Sequence, residues 1–524
     1  MAAEQEDTGP ETSHPIRGAL QRLGLLGGPG LAALTWLALP EAPLGADGTP
    51  IVFGAAGRAT AAAAVWMAVW WLSEAIPVYA TALLPLVLLP LAGARSMAEA
   101  AAPFAHPLIF LFMGGFLIAL TMERWGLHRR LALRALRAVG DRPSHMVAGF
   151  MGVTAVLSMW VSNSATAVMM LPVACSVIAL VGGPMCSAVG ADEGAADAHR
   201  PDSPVRPFAL ALLLGIAYGA SIGGIGTPIG TPPNLFLLSY VRDHLGREIS
   251  FVRWMSVALP LVAVFLPIAW WLLTRVLFPS PLARIPGWND LVGRSLAALG
   301  PMGRGERITL VVFVGAAFLW VTRPLLSSLS IAGVRPFAGL TDAGIAMLAA
   351  LSLFVWPVDW RARTFALDWE SAVRLPWGVL LLFGGGLSLA AAIQANGVGE
   401  LLASRIGALA GLPSLVIVLA VTTGVVFLTE LTSNTATTAT LVPILAALAP
   451  GLGLDPLLLI VPAALAASCA FMLPVATPPN AVVFGSGWVG IPEMSRAGFW
   501  LNWIGVVLIT ALVYTVALPR LAGG

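Results

Sequence analysis

Two polar motifs each occur twice in this otherwise apolar chain. Ser-Asn stands at 162–163 and 433–434, and Thr-Pro-Pro-Asn stands at 231–234 and 477–480. Hydroxyl and carbonyl oxygens are hard ligands that suit a cation such as Na⁺. Adjacent prolines remove two N–H donors and stop a helix, and the N-terminus of the next helix carries about half a positive charge. The four motifs therefore indicate sites for a small cation and for an anion.

The composition places these motifs in a membrane protein. Hydrophobic residues make up 58% of the 524 positions and charged residues only 10%, against about 25% in a soluble domain. The apolar residues come in long blocks separated by Pro, Gly and Arg, which is typical of a chain that crosses the lipid bilayer several times. All 28 basic residues are Arg, and no basic tail suggests a nucleic-acid partner.

The apolar blocks predict an all-α integral membrane protein with about 11 transmembrane helices and two re-entrant hairpins. A span needs about 20 apolar residues. The blocks at 146–182 and 414–450 are too long for one span, and Ser-Asn interrupts each at its middle. Such a break at mid-membrane is tolerated only where the backbone is buried or lines a cavity. The predicted full spans are 22–40, 58–76, 79–93, 107–123, 207–240, 255–278, 308–322, 341–357, 375–395, 455–490 and 497–519.

The positions of Arg predict the orientation in the membrane. With the N-terminus in the cytoplasm and both hairpins re-entrant, 19 of the 28 Arg residues fall on the inside, as expected for a multi-pass protein of the inner (plasma) membrane. Arg130, Arg134 and Arg137 form one helical stripe. This stripe predicts a helix that lies in the cytoplasmic interface.

The motifs also divide the chain into two repeats. The Ser-Asn motifs are 271 residues apart, and the Thr-Pro-Pro-Asn motifs only 246, because the first half carries an extra polar segment at 191–206. We predict a tail and first helix at 1–57, repeats at 58–278 and 308–519, and a cytoplasmic linker at 279–307. Each repeat holds five spans and one hairpin, so the second is inserted upside down. Inverted repeats with interrupted helices at the midplane are typical of secondary transporters.

These features favour transport over catalysis. One such motif alone is usually a packing kink, but four in matching places indicate a functional site. The six His residues lie in tails, loops or span ends, so the spans offer neither a nucleophile–base pair nor a metal cluster for an enzyme. Paired hairpins in an inverted repeat also suit alternating access better than a channel. We therefore predict that the protein is a carrier for a small anion and not an enzyme.

At this point the chain resembles a known family. The segments Trp70-Trp71-Leu-Ser-Glu-Ala-Ile-Pro77 and Thr81-Ala-Leu-Leu-Pro85 are similar to the signature of the divalent anion/sodium symporters. The Gly114-Gly115 block, both Ser-Asn motifs and both Thr-Pro-Pro-Asn motifs match as well. The resemblance runs in order from about 58 to 490, and it points to the bacterial dicarboxylate transporters within the family.

The resemblance implies a homodimer in which each subunit has a fixed scaffold and a transport domain that moves like an elevator. It also implies two Na⁺ sites and a substrate site between the tips of the two hairpins. The first Na⁺ site would be formed by Ser158, Ser162, Asn163 and Gly230. The second would be formed by Thr429, Ser433, Asn434 and Ala476. The substrate would contact Asn163, Ser164, Thr231, Asn434, Thr435, Thr477 and Pro478.

One departure from the family pattern leaves the substrate open. Ser164 stands where the common carboxylate carriers have Thr, which keeps the hydroxyl and loosens the pocket by one methyl group. The leading hypothesis is Na⁺-coupled import of a dicarboxylate such as succinate, malate or fumarate. The alternatives are Na⁺-coupled transport of sulfate or another divalent anion, and Na⁺-independent dicarboxylate exchange. A cationic side chain at a cation site would favour exchange, and every predicted position is neutral.

Overall fold

The computed structural model of the protein describes residues 15–44, 50–182, 203–331, 334–406 and 411–521. These residues form helices throughout, with one short two-stranded hairpin. The predicted all-α fold is therefore confirmed. Most of the predicted N-terminal tail and of the polar segment after the first hairpin lies outside the described residues.

Helices α1 to α7 form the N-terminal part, and local capping fixes where several of them begin. Ser96 and Glu99 form a capping box at the start of α5, which satisfies two N–H groups that the helix leaves free. His106 accepts the N–H of Leu108 at 3.3 Å, so α6 begins at Pro107 after a short 3-10 turn. The helices are α1 (Pro15–Ala38), α2 (Gly54–Ser73), α3 (Val78–Thr81), α4 (Leu84–Leu91), α5 (Met97–Ala101), α6 (Pro107–Arg124) and α7 (Leu127–Leu136).

The next part of the chain contains the first Ser-Asn and Thr-Pro-Pro-Asn motifs, and each motif separates two helices. The block predicted as a hairpin forms α8 and α9, and the predicted span 207–240 is split into α10 and α11. A π-helical turn, Leu272–Leu277, continues α12. The helices are α8 (Pro143–Ser158), α9 (Asn163–Leu180), α10 (Arg206–Gly224), α11 (Pro232–Leu245), α12 (Phe251–Trp271) and α13 (Trp288–Ala298).

The middle of the chain forms five helices and the strand pair within the described residues. Strand β1 (Pro357–Asp359) pairs antiparallel with β2 (Thr364–Phe365), in a polar segment between two apolar blocks. The helices are α14 (Arg304–Ser328), α15 (Asp342–Val355), α16 (Trp369–Ala372), α17 (Trp377–Ala395) and α18 (Val398–Ile406).

The C-terminal part repeats the arrangement around the second pair of motifs. The block predicted as a second hairpin forms α19 and α20, and the predicted span 455–490 is split into α21 and α22. A π-helical turn, Val513–Ala517, continues α23. The helices are α19 (Ser414–Thr429), α20 (Asn434–Leu448), α21 (Leu457–Ala467), α22 (Pro478–Phe484), α23 (Ile491–Leu512) and α24 (Leu518–Leu521).

Helix α7 differs from the prediction made for its Arg stripe. Arg134 and Arg137 are exposed, but Arg130 is buried. Its Nε lies 2.7 Å from a carboxylate oxygen of Glu306, at the start of α14. Its two Nη atoms also donate to the carbonyls of Gly300 and Leu299, directly after α13, at 2.9 and 3.1 Å. The prediction of an interfacial stripe was therefore wrong for Arg130, which ties α7 to α14.

Seven helices in the described part of the chain are long and apolar enough to cross a membrane. Five more apolar helices have only 10–17 residues, and three of them (α19, α20 and α21) are shortened by the breaks. Helix α10 lies at the centre, with 94% of its apolar stretch buried, and it packs against α8, α9, α12 and α22. The protein is therefore a multi-pass membrane protein, while the count of 11 spans stays a prediction.

Candidate functional site

The first hairpin turns within four residues, between Ser158 at the end of α8 and Asn163 at the start of α9. Ser162 is the N-cap of α9, and its hydroxyl accepts the N–H of Ala165 at 3.3 Å. A serine cap satisfies one N–H group that has no partner inside the helix. The Ser-Asn motif therefore starts a new helix with Asn163 at its first position.

A buried cluster of oxygen atoms lies at this tip. The hydroxyl of Ser158 lies within hydrogen-bond distance of the side-chain oxygen of Asn163 and 2.7 Å from the carbonyl oxygen of Ala220, in α10. A hydroxyl has one proton, so it can satisfy only one of these two acceptors at a time. Three oxygens that share one proton form a site that a cation would stabilise.

Two glycines bring the broken helix close to this cluster. A Cβ atom on Gly224, the last residue of α10, would lie 2.6 Å from the Asn163 side-chain oxygen and 3.1 Å from the carbonyl oxygen of Gly230. Real Cβ atoms essentially never lie closer than 3.0 Å to another heavy atom. The lack of side chains therefore lets Asn163 lie against Gly224, and lets the backbones at Gly224 and Gly230 approach each other.

Asn234 holds the first break open. Its side-chain nitrogen donates to the carbonyls of Gly224, Ile225 and Thr227, at 3.2, 3.0 and 2.8 Å. These carbonyls lie at and just after the end of α10, where the helix no longer supplies N–H partners. Thr231 is the buried N-cap of α11. The Thr-Pro-Pro-Asn motif therefore both stops one helix and braces the loop before the next.

The second tip reproduces the first cluster. The hydroxyl of Thr429, at the end of α19, lies 2.6 Å from the side-chain oxygen of Asn434 and 3.0 Å from the carbonyl oxygen of Ala467, the last residue of α21. Ser433 caps α20 by accepting the N–H of Ala436 at 3.5 Å. Thr429 and Asn434 lie 271 residues after Ser158 and Asn163. The same three-oxygen arrangement therefore occurs at matching places in both halves.

The second break is also braced by its Asn. The side-chain nitrogen of Asn480 donates to the carbonyls of Ala470 and Leu473 at 3.2 and 3.0 Å. The hydroxyl of Thr477 accepts the N–H of Asn480 at 3.4 Å, as the N-cap of α22. Ala476 is buried and Pro478 is exposed.

Polar atoms are left over at matching places around both breaks. The side-chain oxygens of Asn234 and Asn480 are buried without a hydrogen-bond partner in the described part of the chain. The same holds for the hydroxyls of Ser221 and Ser468, each one residue after the carbonyl that joins its cluster. Buried polar atoms in native structures are usually paired. These paired exceptions fit a protein that binds ions beside its two helix breaks.

The packing brings the motifs of one half to those of the other. Helix α9, which starts at the first tip, packs against α22, which starts at the second break. Helix α20, which starts at the second tip, packs against α11, which starts at the first break. Ser164 and Thr435 lie half-buried in the first turns of α9 and α20. Each helix that starts at a tip thus packs against the helix that starts at the break of the other half.

The structure does not join every predicted residue to the clusters. Ser158 is hydrogen-bonded to Asn163, and Thr429 is hydrogen-bonded to Asn434. The hydroxyls of Ser162 and Ser433 serve instead as helix caps. The carbonyls of Ala220 and Ala467 were missed by sequence analysis. Each lies near the end of the helix that precedes a Thr-Pro-Pro-Asn motif. This position was the one feature of the sequence that could have pointed to these carbonyls.

Comparison with known proteins shows which family the chain resembles. The family model for the sodium:sulfate symporter transmembrane region matches residues 48–518. The sodium-dependent dicarboxylate transporter SdcS of Staphylococcus saprophyticus is 41% identical over 502 residues, which is 96% of this chain and 92% of that protein. The protein of the same name from Staphylococcus aureus is 40% identical over 497 residues, which is 95% of this chain and 91% of that protein.

Two solved structures share the fold. The YdaH transporter of Alcanivorax borkumensis has a TM-score of 0.59 at 15% identity, over 97% of this chain and 100% of that one. MtrF of Neisseria gonorrhoeae has a TM-score of 0.59 at 14% identity, over 97% of each chain. Because the sequence identity to these two proteins is only 14–15%, the similarity shows a shared fold and nothing about function. Sodium coupling, by contrast, is named both in the family model and in the two SdcS relatives, and the chain therefore belongs to the divalent anion/sodium symporter family.

Proposed function

We propose that the protein is a secondary active transporter that imports a dicarboxylate of the succinate, malate and fumarate class together with Na⁺. The observation that carries the proposal is the pair of three-oxygen clusters, at Ser158 and at Thr429, in matching places of the two halves. Relatives that are 40–41% identical over nearly the whole chain are named sodium-dependent dicarboxylate transporters, and they supply the substrate class.

The proposed anion site contains no cationic side chain. Its candidates are Asn163, Ser164, Thr231, Asn434, Thr435, Thr477 and Pro478. The helix N-termini at these residues contribute only partial positive charges. Uncompensated charge in a low-dielectric site costs several kcal/mol even after relaxation. Two Na⁺ would neutralise a dianion, and this is the physical reason for coupling. A third Na⁺ would make transport electrogenic. Each net positive charge that moves inward would then gain about 2.3 kcal/mol of free energy per 100 mV of inside-negative membrane potential.

The proposed mechanism is an elevator within a homodimer. Because α9 packs on α22 and α20 on α11, both clusters and all four helix starts can move as one unit. We further propose the orientation with a cytoplasmic N-terminus, and the repeat boundaries at 58–278 and 308–519. The packing supports a rigid transport unit, and the Arg distribution supports the orientation.

Uptake by the purified protein in liposomes tests the proposal. Labelled succinate should enter with an inward Na⁺ gradient and not with choline, and the rate should rise more steeply than first order with Na⁺. Asn434→Ala and Thr477→Ala should abolish or greatly weaken uptake and leave a folded protein. Equal uptake in choline and in sodium would contradict Na⁺ coupling and favour exchange. Competition by sulfate that is stronger than competition by malate would favour the sulfate alternative.

A further inference from the structure

Glu430 is a buried carboxylate that follows Thr429, a member of the second cluster, in the chain. It is only 3% exposed. Its two oxygens accept hydrogen bonds from three successive backbone N–H groups and one side-chain amide. The donors are Phe471 N at 2.7 Å, Met472 N at 3.0 Å to each oxygen, Leu473 N at 3.2 Å and Asn502 Nδ2 at 2.8 Å.

These contacts favour the ionised carboxylate. Every described hydrogen-bond partner of Glu430 is an N–H group that donates to it. A protonated Glu430 would need an acceptor for its own O–H, and none is among these partners. Charge-assisted bonds from N–H groups to a carboxylate are about twice as strong as neutral ones. The geometry therefore suits a negative charge at Glu430.

The other buried carboxylates in the described part of the chain have cationic partners. Glu306 is paired with Arg130 at 2.7 Å, and Asp342 with Arg323 at 3.0 Å. Among the described residues, Glu430 has no Arg or His within ion-pair distance. Its charge is therefore compensated only by dipoles, and a cation at the neighbouring cluster would compensate it further.

Glu430 also shapes the second break. The backbone from Phe471 to Leu473 lies between the end of α21, which supplies the Ala467 carbonyl, and the start of α22. By holding three amides of this linker, Glu430 fixes the linker to the tip that carries Thr429. Tyr218 of α10 supports the same segment, because its hydroxyl donates to the carbonyl of Phe471 at 2.9 Å.

The first tip has no carboxylate at the position that corresponds to Glu430. The residue 271 positions before Glu430 is Met159, whose thioether is a weak acceptor. Its backbone carbonyl accepts a bond from the hydroxyl of Thr227 in the first break. In the described contacts, neutral groups hold the first break, whereas neutral groups and a carboxylate hold the second.

We propose that Glu430 is a positioning residue that makes the second cation site the stronger of the two, so that this site fills with Na⁺ first. The inference rests on the proposed Na⁺-coupled function. It assigns unequal roles to two sites that the repeat would otherwise make equivalent.

The test uses the full-length protein with three substitutions. Glu430→Gln removes the charge at similar volume, Glu430→Asp keeps the charge, and Met159→Leu is the matched change at the first tip. Two quantities are measured. One is the Na⁺ concentration for half-maximal succinate uptake in liposomes, with the succinate KM at saturating Na⁺. The other is the rise in unfolding temperature that Na⁺ alone produces in detergent, which reports ion binding without transport.

Glu430→Gln should raise the half-maximal Na⁺ concentration about tenfold or more and reduce the thermal shift by Na⁺, while the succinate KM at saturating Na⁺ changes less than about twofold. Glu430→Asp should recover part of the Na⁺ affinity, and Met159→Leu should behave as wild type. A merely structural role would lower stability without this selective loss of Na⁺ affinity.

Two results would overturn the inference: an unchanged thermal shift by Na⁺ in Glu430→Gln, or an equal loss of Na⁺ affinity in Met159→Leu. If Glu430→Gln does not fold, Ser158→Ala and Thr429→Ala test the inequality of the two sites instead, and an equal reduction of the thermal shift by Na⁺ in these two variants would overturn the inference as well. Failure of the proposed function looks different, because wild-type protein would then transport succinate equally in choline and in sodium. The thermal shift would still decide the role of Glu430.

Discussion

The hydroxyls of Ser158 and Thr429 each lie beside two acceptors and can donate to only one of them. The second acceptor at each tip keeps an unused lone pair. Two oxygens held this close repel each other unless a proton or a cation lies nearby. For this reason we assign cations to the clusters and place the anion at the helix N-termini.

Gly224 offers a test of the first cluster that changes no polar group. A methyl group there would lie 2.6 Å from the Asn163 side-chain oxygen, so Gly224→Ala should displace Asn163. Hydrogen bonds and contacts to a charged group are worth about 1.5–3 kcal/mol, so the apparent Na⁺ affinity for uptake should fall about tenfold or more. Gly152→Ala is the control, since a Cβ atom there meets nothing within 4 Å. Equal Na⁺ affinity in the two variants would contradict a cation site at Asn163.

Sequence analysis could predict part of this site. The doubled Ser-Asn and Thr-Pro-Pro-Asn motifs pointed to Asn163 and Asn434, and the structure places each beside a hydroxyl from the preceding helix. Their roles as ligands stay predictions. The carbonyls of Ala220 and Ala467 could not be predicted, because every residue has a carbonyl and only the tertiary fold selects the ones that point at the cluster.

At the scale of elements, two ion pairs join helices of the first half to helices of the second. Arg206, at the start of α10, pairs with Glu493 in the first turn of α23 at 2.6 Å. Asp455, just before α21, pairs with Arg247, just after α11, at 3.0 Å. Arg247 and Glu493 are 246 residues apart, the spacing of the Thr-Pro-Pro-Asn motifs. The two pairs therefore hold matching places with the charges exchanged.

A charge exchange tests whether these pairs stabilise the unit that holds the site. Arg247→Asp places two carboxylates together and should lower the free energy of unfolding by about 1 kcal/mol, since the native pair is partly exposed. The double variant Arg247→Asp with Asp455→Arg should recover most of this loss and of the uptake rate. Thermal unfolding in detergent measures the stability. Equal stability of the single and the double variant would show that the two side chains do not interact.

The elements themselves were predictable where they are long and apolar. The block at 107–123 became α6 and the block at 375–395 became α17, because helical hydrogen bonding is the way to satisfy a backbone in lipid. The burial of Arg130 could not be foreseen, because its partner Glu306 lies 176 residues away. The hairpin of β1 and β2 was missed for a related reason, since two short polar strands carry little periodic signal.

At the scale of the whole molecule, one hydrogen bond joins parts that the elevator proposal would separate. His106, at the start of α6, lies 2.8 Å from Asp243, near the end of α11. Helix α6 packs mainly against α14 and α15, whereas α11 packs mainly against α20 and α21, and the two helices also touch each other. A cavity of about 530 Å³ opens at this junction, lined among others by Arg95, His106, Asp243 and His244. If α11 belongs to the moving unit and α6 to the fixed scaffold, this contact must break in each transport cycle.

A cross-link at this junction should therefore stop transport. We expect His106→Cys with Asp243→Cys, in a background whose native cysteines are replaced by Ser, to lose succinate uptake when a short bifunctional thiol reagent joins the two residues. Arg247→Cys with Asp455→Cys is the control, because both lie within the unit proposed to move and their cross-link should leave uptake intact. A reagent that is cleaved by reduction should allow uptake to recover in the first variant. Uptake that continues after complete cross-linking of 106 to 243 would mean that α6 and α11 stay together throughout the cycle. The site would then have to open by local movement of the hairpin tips.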